Sequence, residues 1–119
     1  LALIDPVHYG ELVWLLDKCE LVISDSGGLQ EEAPTLGRPL LVLREVTERP
    51  EVAEAGAGIL VGTDGERILA ETTRLLGDAD ARNRMGRPRF LFGDGHAAER
   101  IAAHLAGEAV AGWTPESVT

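Results

Sequence analysis

One cysteine, Cys19, is all the sequence offers in 119 residues. No disulfide can close within the chain, and a reducing compartment such as the cytoplasm is the expected setting. No apolar run comes near the roughly 20 residues that cross a bilayer, and no basic, apolar, small-residue leader marks the chain for secretion. A membrane is therefore not an expected partner. Positive charge is scarce too: 11 Lys and Arg stand against 20 Asp and Glu, for a formal net charge of −9. That argues against nucleic acid, whose phosphates demand clustered Lys and Arg. Four arginines do gather, Arg82, Arg84, Arg87 and Arg89, but acids flank them and they read as a solvated face. His8, His96 and His104 show no metal-ligand spacing with Cys19 or with one another. Each is expected as an ordinary surface or core histidine, and no metal or cofactor is called for. The only methionine is Met85, so the chain is expected to be the later part of a longer protein.

What is present is a soluble, globular composition, 45% hydrophobic and 26% charged, at a length suited to one domain. Leu1 to Ile4, Leu21 to Ile23, Pro39 to Leu43 and Gly58 to Val61 are short apolar runs ended by turn residues, and they read as four buried strands. His8 to Lys18 has helical spacing, as has Leu29 to Leu36 before Gly37. Pro34 lacks an N–H and disfavours helix at Ala33, so this second helix should last only about two turns. After Gly62 the period is helical. Ile68, Thr72, Leu75 and Leu76 form a stripe behind an Asp64 N-cap, and Asp78 to Met85 follows. Beyond the Gly93-Asp94-Gly95 break, His96 to Leu105 places Ala97, Ile101, His104 and Leu105 on one face. The expected fold is α/β, a Rossmann-like parallel sheet with helices on both faces. Residues 1–106 form the domain and 107–119 a tail.

Ligands of such sheets bind beyond the carboxyl ends of the strands. Three loops lie there: Asp5-Pro6-Val7, Ser24 to Gly28, and Arg44 to Glu51. Asp-Ser-Gly-Gly at 25–28 suggests a serine nucleophile, but only His8 precedes it and no Gly-x-Ser-x-Gly elbow is present. The glycines fit a helix mouth better. Free N–H groups and the helix dipole attract an anion there, and Gly27 and Gly28 let a diphosphate approach the backbone. Ser26 can cap the helix or donate to a phosphate. A plain strand-to-helix turn would use the same glycines, and the spacing alone leaves that open. Glu32, one to two turns on, can reach a ribose, whereas Glu31 points elsewhere and is expected in solvent. Arg49 can neutralise a phosphate or pair with Glu48 or Glu51.

The run SDSGGLQEEAPTLGRPLLVLREVTERPE, Ser24 to Glu51, resembles UDP-N-acetylglucosamine 2-epimerases of the non-hydrolysing bacterial type. DPVHYGELVWLL before it, and AGAGILVGTD and FGDGHAAERI after it, extend the likeness over roughly residues 3 to 105. The resemblance implies a two-domain GT-B architecture in which this chain is most of the second, UDP-holding domain and lacks its first strands. It implies that Ser26, Gly27 and Gly28 bind the diphosphate, Glu32 the ribose, and Arg49 the substrate. Val7 and Leu12 fall at positions that contact uracil. Glutamine and phenylalanine are common there, so only a backbone contact carries over easily. Phe90-Leu91-Phe92 replaces a usual Asn-Pro-aromatic run, which puts the geometry of that loop in question.

The chemistry implied is inversion at C2 of the sugar by elimination of UDP to a 2-acetamidoglucal and re-addition after reprotonation. It would feed cell-surface polysaccharide synthesis. The proton-transfer groups of such enzymes lie outside the matched region, so no catalytic residue is expected here. The implied partners are UDP or UDP-N-acetylglucosamine, the missing N-terminal domain of the same protein, and a second copy in a homodimer. A non-catalytic UDP-sugar-binding module, a UDP-sugar glycosyltransferase domain, and a hydrolysing relative that releases UDP are the alternatives.

Overall fold

The computed structural model describes residues 2–115. Three strands, β1 (Val22–Ser24), β2 (Leu40–Val42) and β3 (Gly58–Leu60), form a parallel sheet in that order. The register sets Ser24 beside Val42 and Val42 beside Leu60. The helices among the described residues are α1 (Tyr9–Lys18), α2 (Gly27–Thr35), α3 (Pro50–Glu54), α4 (Gly65–Gly77), α5 (Ala79–Met85) and α6 (Ala97–Leu105).

The central strand explains the layering. All three β2 residues are buried, and alternation sends Leu40 and Val42 to one face and Leu41 to the other. Leu40 and Val42 meet Leu16 of α1, Ala33 of α2 and Val52 of α3. On the opposite face Leu41 packs with Val61 and with Leu75 of α4, while Ala81 and Met85 of α5 close the margin. Each fully buried leucine contributes about 1.5–3 kcal/mol of transfer free energy. Helices therefore cover both faces of a Rossmann-like α/β sheet, as the sequence pattern predicts.

Several expectations need correction. The first strand does not form among the described residues: residues 2–8 carry no regular structure, Leu3 is 92% exposed, and Leu1 lies outside the described residues. An extended segment is stable as a strand only when its backbone groups find a ladder partner, and no strand among the described residues pairs with this one. Nor are all strands covered on both sides, since Ile23 of the edge strand β1 is 42% exposed. The α4 stripe narrows to Ile68, Thr72 and Leu75, with Leu76 turned outward. On α6 the expected apolar face is open: Ile101 and Leu105 are exposed.

The predicted helix from Leu29 starts two residues earlier, at Gly27, and Pro34 sits in its last turn. Gly37 then breaks the chain at φ 66°, where a Cβ would lie 2.8 Å from the Gly86 carbonyl oxygen. Helix α3 was not expected inside the third loop, although Pro50 at its first position and Glu51 in its first turn are start signals. The arginine cluster is more than a solvated face. Arg82 Nη1 donates to the carbonyls of Leu75 and Leu76, and Arg89 Nη1 to that of Met85, tying down the ends of α4 and α5. Residues 107–115 of the tail carry no helix or strand, and 116–119 lie outside the described residues. No helix among the described residues is long and apolar enough to cross a membrane.

Candidate functional site

Ser24, Val42 and Leu60 end their strands at one level of the sheet, so the loops that follow rise from a common edge. From β1 the chain turns at once into α2. Ser26 is its N-cap, with extended backbone (ψ 129°), and its Oγ accepts from the Leu29 N–H at 3.4 Å. A hydroxyl has one proton and two lone pairs. Ser26 can therefore accept from Leu29 and still donate to a ligand, which unites the two roles the sequence left as alternatives.

The N–H groups of Gly27 and Gly28 have no acceptor among the hydrogen bonds of the described residues. Neither glycine has a positive φ. A Cβ on Gly27 would meet nothing closer than Glu48 Oε1 at 3.7 Å, and one on Gly28 nothing closer than Ser26 Oγ at 3.8 Å. Those are ordinary van der Waals distances, so the fold itself does not require glycine at either position. A plain strand-to-helix turn could therefore be built with a side chain at either position. What glycine supplies here is access to two unpaired donors at the positive end of a helix dipole.

The loop after β2 is fastened to α2 by a buried polar side chain. Gln30 has no exposed surface; its Nε2 donates to the Ser26 carbonyl at 3.3 Å and its Oε1 accepts from the Thr47 hydroxyl. Thr47 Oγ1 in turn accepts from Arg49 N–H at 3.0 Å. Arg49 Nε donates to Glu31 Oε1 at 2.6 Å. This corrects two expectations at once: Glu31 is not free in solvent, and Arg49 pairs with it, not with the carboxylates of Glu48 or Glu51. The hydrogen bond that Arg49 donates to Glu31 raises the guanidinium pKa above its already high ordinary value. Gln30, Thr47 and Arg44 were not among the expected site residues; the placement of Gln30 one turn after the cap was the available signal.

Glu32 faces a cleft of about 350 Å³ between α1, α2 and the loop at 92–95. Tyr9 and Val13 of α1, Glu31 of α2, and Phe92 also line it. Aromatic and aliphatic walls beside a carboxylate suit a nucleoside, whose ribose hydroxyls can donate to Glu32. Val7 and Leu12 lie elsewhere. Val7 lines a separate hollow with Ile4 and Trp14, and Leu12 packs against the core. Leu91 is buried in that same core, which anchors the divergent Phe90-Leu91-Phe92 run. The three histidines are exposed, and among the described residues no three His, Cys, Asp or Glu side chains lie together as a metal set.

The cleft wall at Gly93 and Gly95 is held by a bidentate pair. Asp94 accepts from Arg100 Nη1 at 2.7 Å and Nη2 at 2.6 Å, and from His96 N–H at 3.2 Å. Chiefly through the Arg100 hydrogen bond, the carboxyl is held well below the usual carboxylate range. A depressed folded-state pKa contributes stability that is fully present above the unfolded value of about 3.9 and is lost as pH falls through the folded value. The Gly93 and Gly95 amide signals should therefore stay at their neutral-pH positions near pH 5 and shift only at markedly lower pH. Asp94→Asn should remove this acid-dependent shift and speed amide exchange of the loop at pH 7. An unaltered loop in that variant would contradict the assignment.

The sequence pattern of the family described as UDP-N-acetylglucosamine 2-epimerase matches residues 1–106. The UDP-N-acetylglucosamine 2-epimerase of Escherichia coli K12 is 52% identical over 103 residues, 87% of this chain and 27% of that protein. Its counterpart in Salmonella typhimurium is 49% identical over 104 residues, 87% of this chain and 28% of that one. The crystal structure of UDP-GlcNAc 2-epimerase from Neisseria meningitidis bound to UDP-GlcNAc superposes with a TM-score of 0.83 at 40% identity, covering 88% of this chain and 28% of that chain. The chain thus spans little more than a quarter of the length of the curated relatives it matches.

Proposed function

This chain belongs to the UDP-N-acetylglucosamine 2-epimerase family, and we propose that it is the nucleotide-holding part of an enzyme interconverting UDP-N-acetylglucosamine and UDP-N-acetylmannosamine. The observation that carries this reading is the pair of unsatisfied glycine amides at the mouth of α2, on residues the fold does not require to be glycine. Ser26, Gly27 and Gly28 hold the diphosphate, and Glu32 accepts from the ribose in its cleft. Arg49 offers its Nη2, which has no acceptor among the described residues, to the substrate. Val7 and Leu12 do not line the Glu32 cleft, so they are kept as uracil contacts through backbone atoms only, at its margin, while Tyr9 or Phe92 is available to stack on the base.

In the reaction, a base outside this chain removes the C2 proton, and the C–H electrons form the C1–C2 double bond. The C1–O bond breaks with its electron pair leaving on UDP. The departing phosphate gains negative charge, so hydrogen bonds from Ser26 and the two amides strengthen as the bond breaks. The same contacts retain UDP while C2 is reprotonated on its other face, ready for re-addition at C1. Residues 1–106 act as the UDP domain of a two-domain protein whose other domain supplies the proton-transfer groups, and the whole protein works as a cytoplasmic homodimer.

Calorimetric titration of the chain with UDP tests the reading. The double variant Ser26→Ala/Glu32→Ala should weaken binding on the order of a hundredfold, from the loss of two hydrogen bonds of about 1.5–3 kcal/mol each. Equal affinity in the two proteins would overturn it.

A further inference from the structure

Two arginines, not one, stand at the mouth of α2. Arg44 follows β2 on the carboxyl edge, and its Nε donates to the Asp25 carbonyl at 2.8 Å, one residue before the Ser26 cap. That bond pins the guanidinium beside the helix entrance. Its Nη1 then points at Glu48, at 3.1 Å from Oε2 and 3.4 Å from Oε1. The same Oε1 lies 3.7 Å from the Cβ position of Gly27. The Glu48 carboxylate is therefore an anion standing between a fixed guanidinium and the open end of a helix that exposes unpaired N–H groups. It is also exposed, and free to leave.

We propose that Arg44 is a further ligand of the diphosphate, and that Glu48 occupies its guanidinium as an internal counter-anion which the diphosphate displaces. This rests on the reading of the site as a UDP site. Two anions cannot share the space without mutual repulsion, so binding must move Glu48 and pass Arg44 from carboxylate to phosphate. The Asp25 contact lets this happen with little motion of the arginine, since Nε stays bound while the Nη groups change partner. Arg49 carries its own acid, Glu31, in the same manner. The resting site thus holds its two guanidinium groups as ion pairs in a strongly acidic chain, and phosphate reaches Arg44 by exchange with Glu48.

The test compares UDP with uridine as probes on the 119-residue chain. Glu48→Gln removes the competing charge and should tighten UDP binding about threefold to tenfold, the range of an exposed ion pair with its repulsion added. Uridine has no diphosphate and should bind both proteins equally. Arg44→Ala should weaken UDP about tenfold or more, with Arg44→Lys intermediate because a point charge replaces a planar fork. In the Arg44→Ala background, adding Glu48→Gln should bring much less gain, and circular dichroism checks that each variant is folded. A Glu48→Gln variant that binds UDP no more tightly, or that gains equally for uridine, overturns the proposal. If the Ser26→Ala/Glu32→Ala variant loses UDP while Arg44→Ala does not, the displacement idea fails and the UDP site stands. If wild type binds no UDP, both fall.

Discussion

Gly27→Ala should reduce UDP affinity on the order of a hundredfold while leaving the melting temperature unchanged or slightly raised. The two effects have separate causes. Alanine has the better helix propensity, by up to about 1 kcal/mol, and a Cβ at Gly27 would make only ordinary contacts within the protein. The loss comes from the ligand side. A methyl group at the first position of α2 holds a phosphate away from the amides, and hydrogen bonds to a charged acceptor are worth about 1.5–3 kcal/mol each. Gly65 provides the control. It too is the first residue of a helix behind a side-chain cap, Asp64, with nothing within 4 Å of its Cβ position. Gly65→Ala should share the stability effect without the affinity effect. Calorimetry and thermal unfolding on both variants would decide the matter, and a Gly27→Ala protein that binds UDP like wild type would remove the amides from the account.

Gln30→Ala should be the more damaging change for the fold near the site, costing about 2–4 kcal/mol from the cavity in a fully buried position together with the lost polar contacts. Gln30 joins the Ser26 carbonyl to the Thr47 hydroxyl from a position with no exposed surface, whereas the other links between these segments, Arg44 to Asp25 and Arg49 to Glu31, lie at the surface. Without it the segment at 46–49 should exchange its amides faster than the sheet does, and UDP affinity should fall because Arg49 loses its support through Thr47. Denaturant unfolding and hydrogen exchange read the two effects separately. If loop exchange keeps its wild-type rate, Gln30 is a core filler and not a brace.

The parts legible in the sequence were those set by local rules. Gly37 ends α2, Asp64 caps α4, and the apolar runs at 22, 40 and 58 became the strands. Each follows from backbone sterics or from burial on both sides of a sheet. The misses came where a non-local partner decides. Leu1 to Ile4 has the composition of a strand, but composition does not supply the neighbour that a ladder needs. Ile101 and Leu105 have helical spacing, which shows a face and not what covers it. In the site, the Ser-Gly-Gly mouth was readable because its chemistry is contiguous. The partner of Arg49 was not, because Glu31 lies 18 positions away and meets it only once β1 and β2 pair.

The register across the sheet also maps where the chain can grow. With Ser24, Val42 and Leu60 at one level, the distance from the Ser26 cap to the Arg44 guanidinium is set by the spacing between adjacent strands and by two residues of run-off on each. Extra residues at the opposite edge, such as in the turn between α3 and β3, leave that distance untouched. One inserted residue between Val42 and Arg44 would rotate the guanidinium to the other side of its strand. Length variants of this protein should therefore accumulate at one rim of the sheet and be purged from the other.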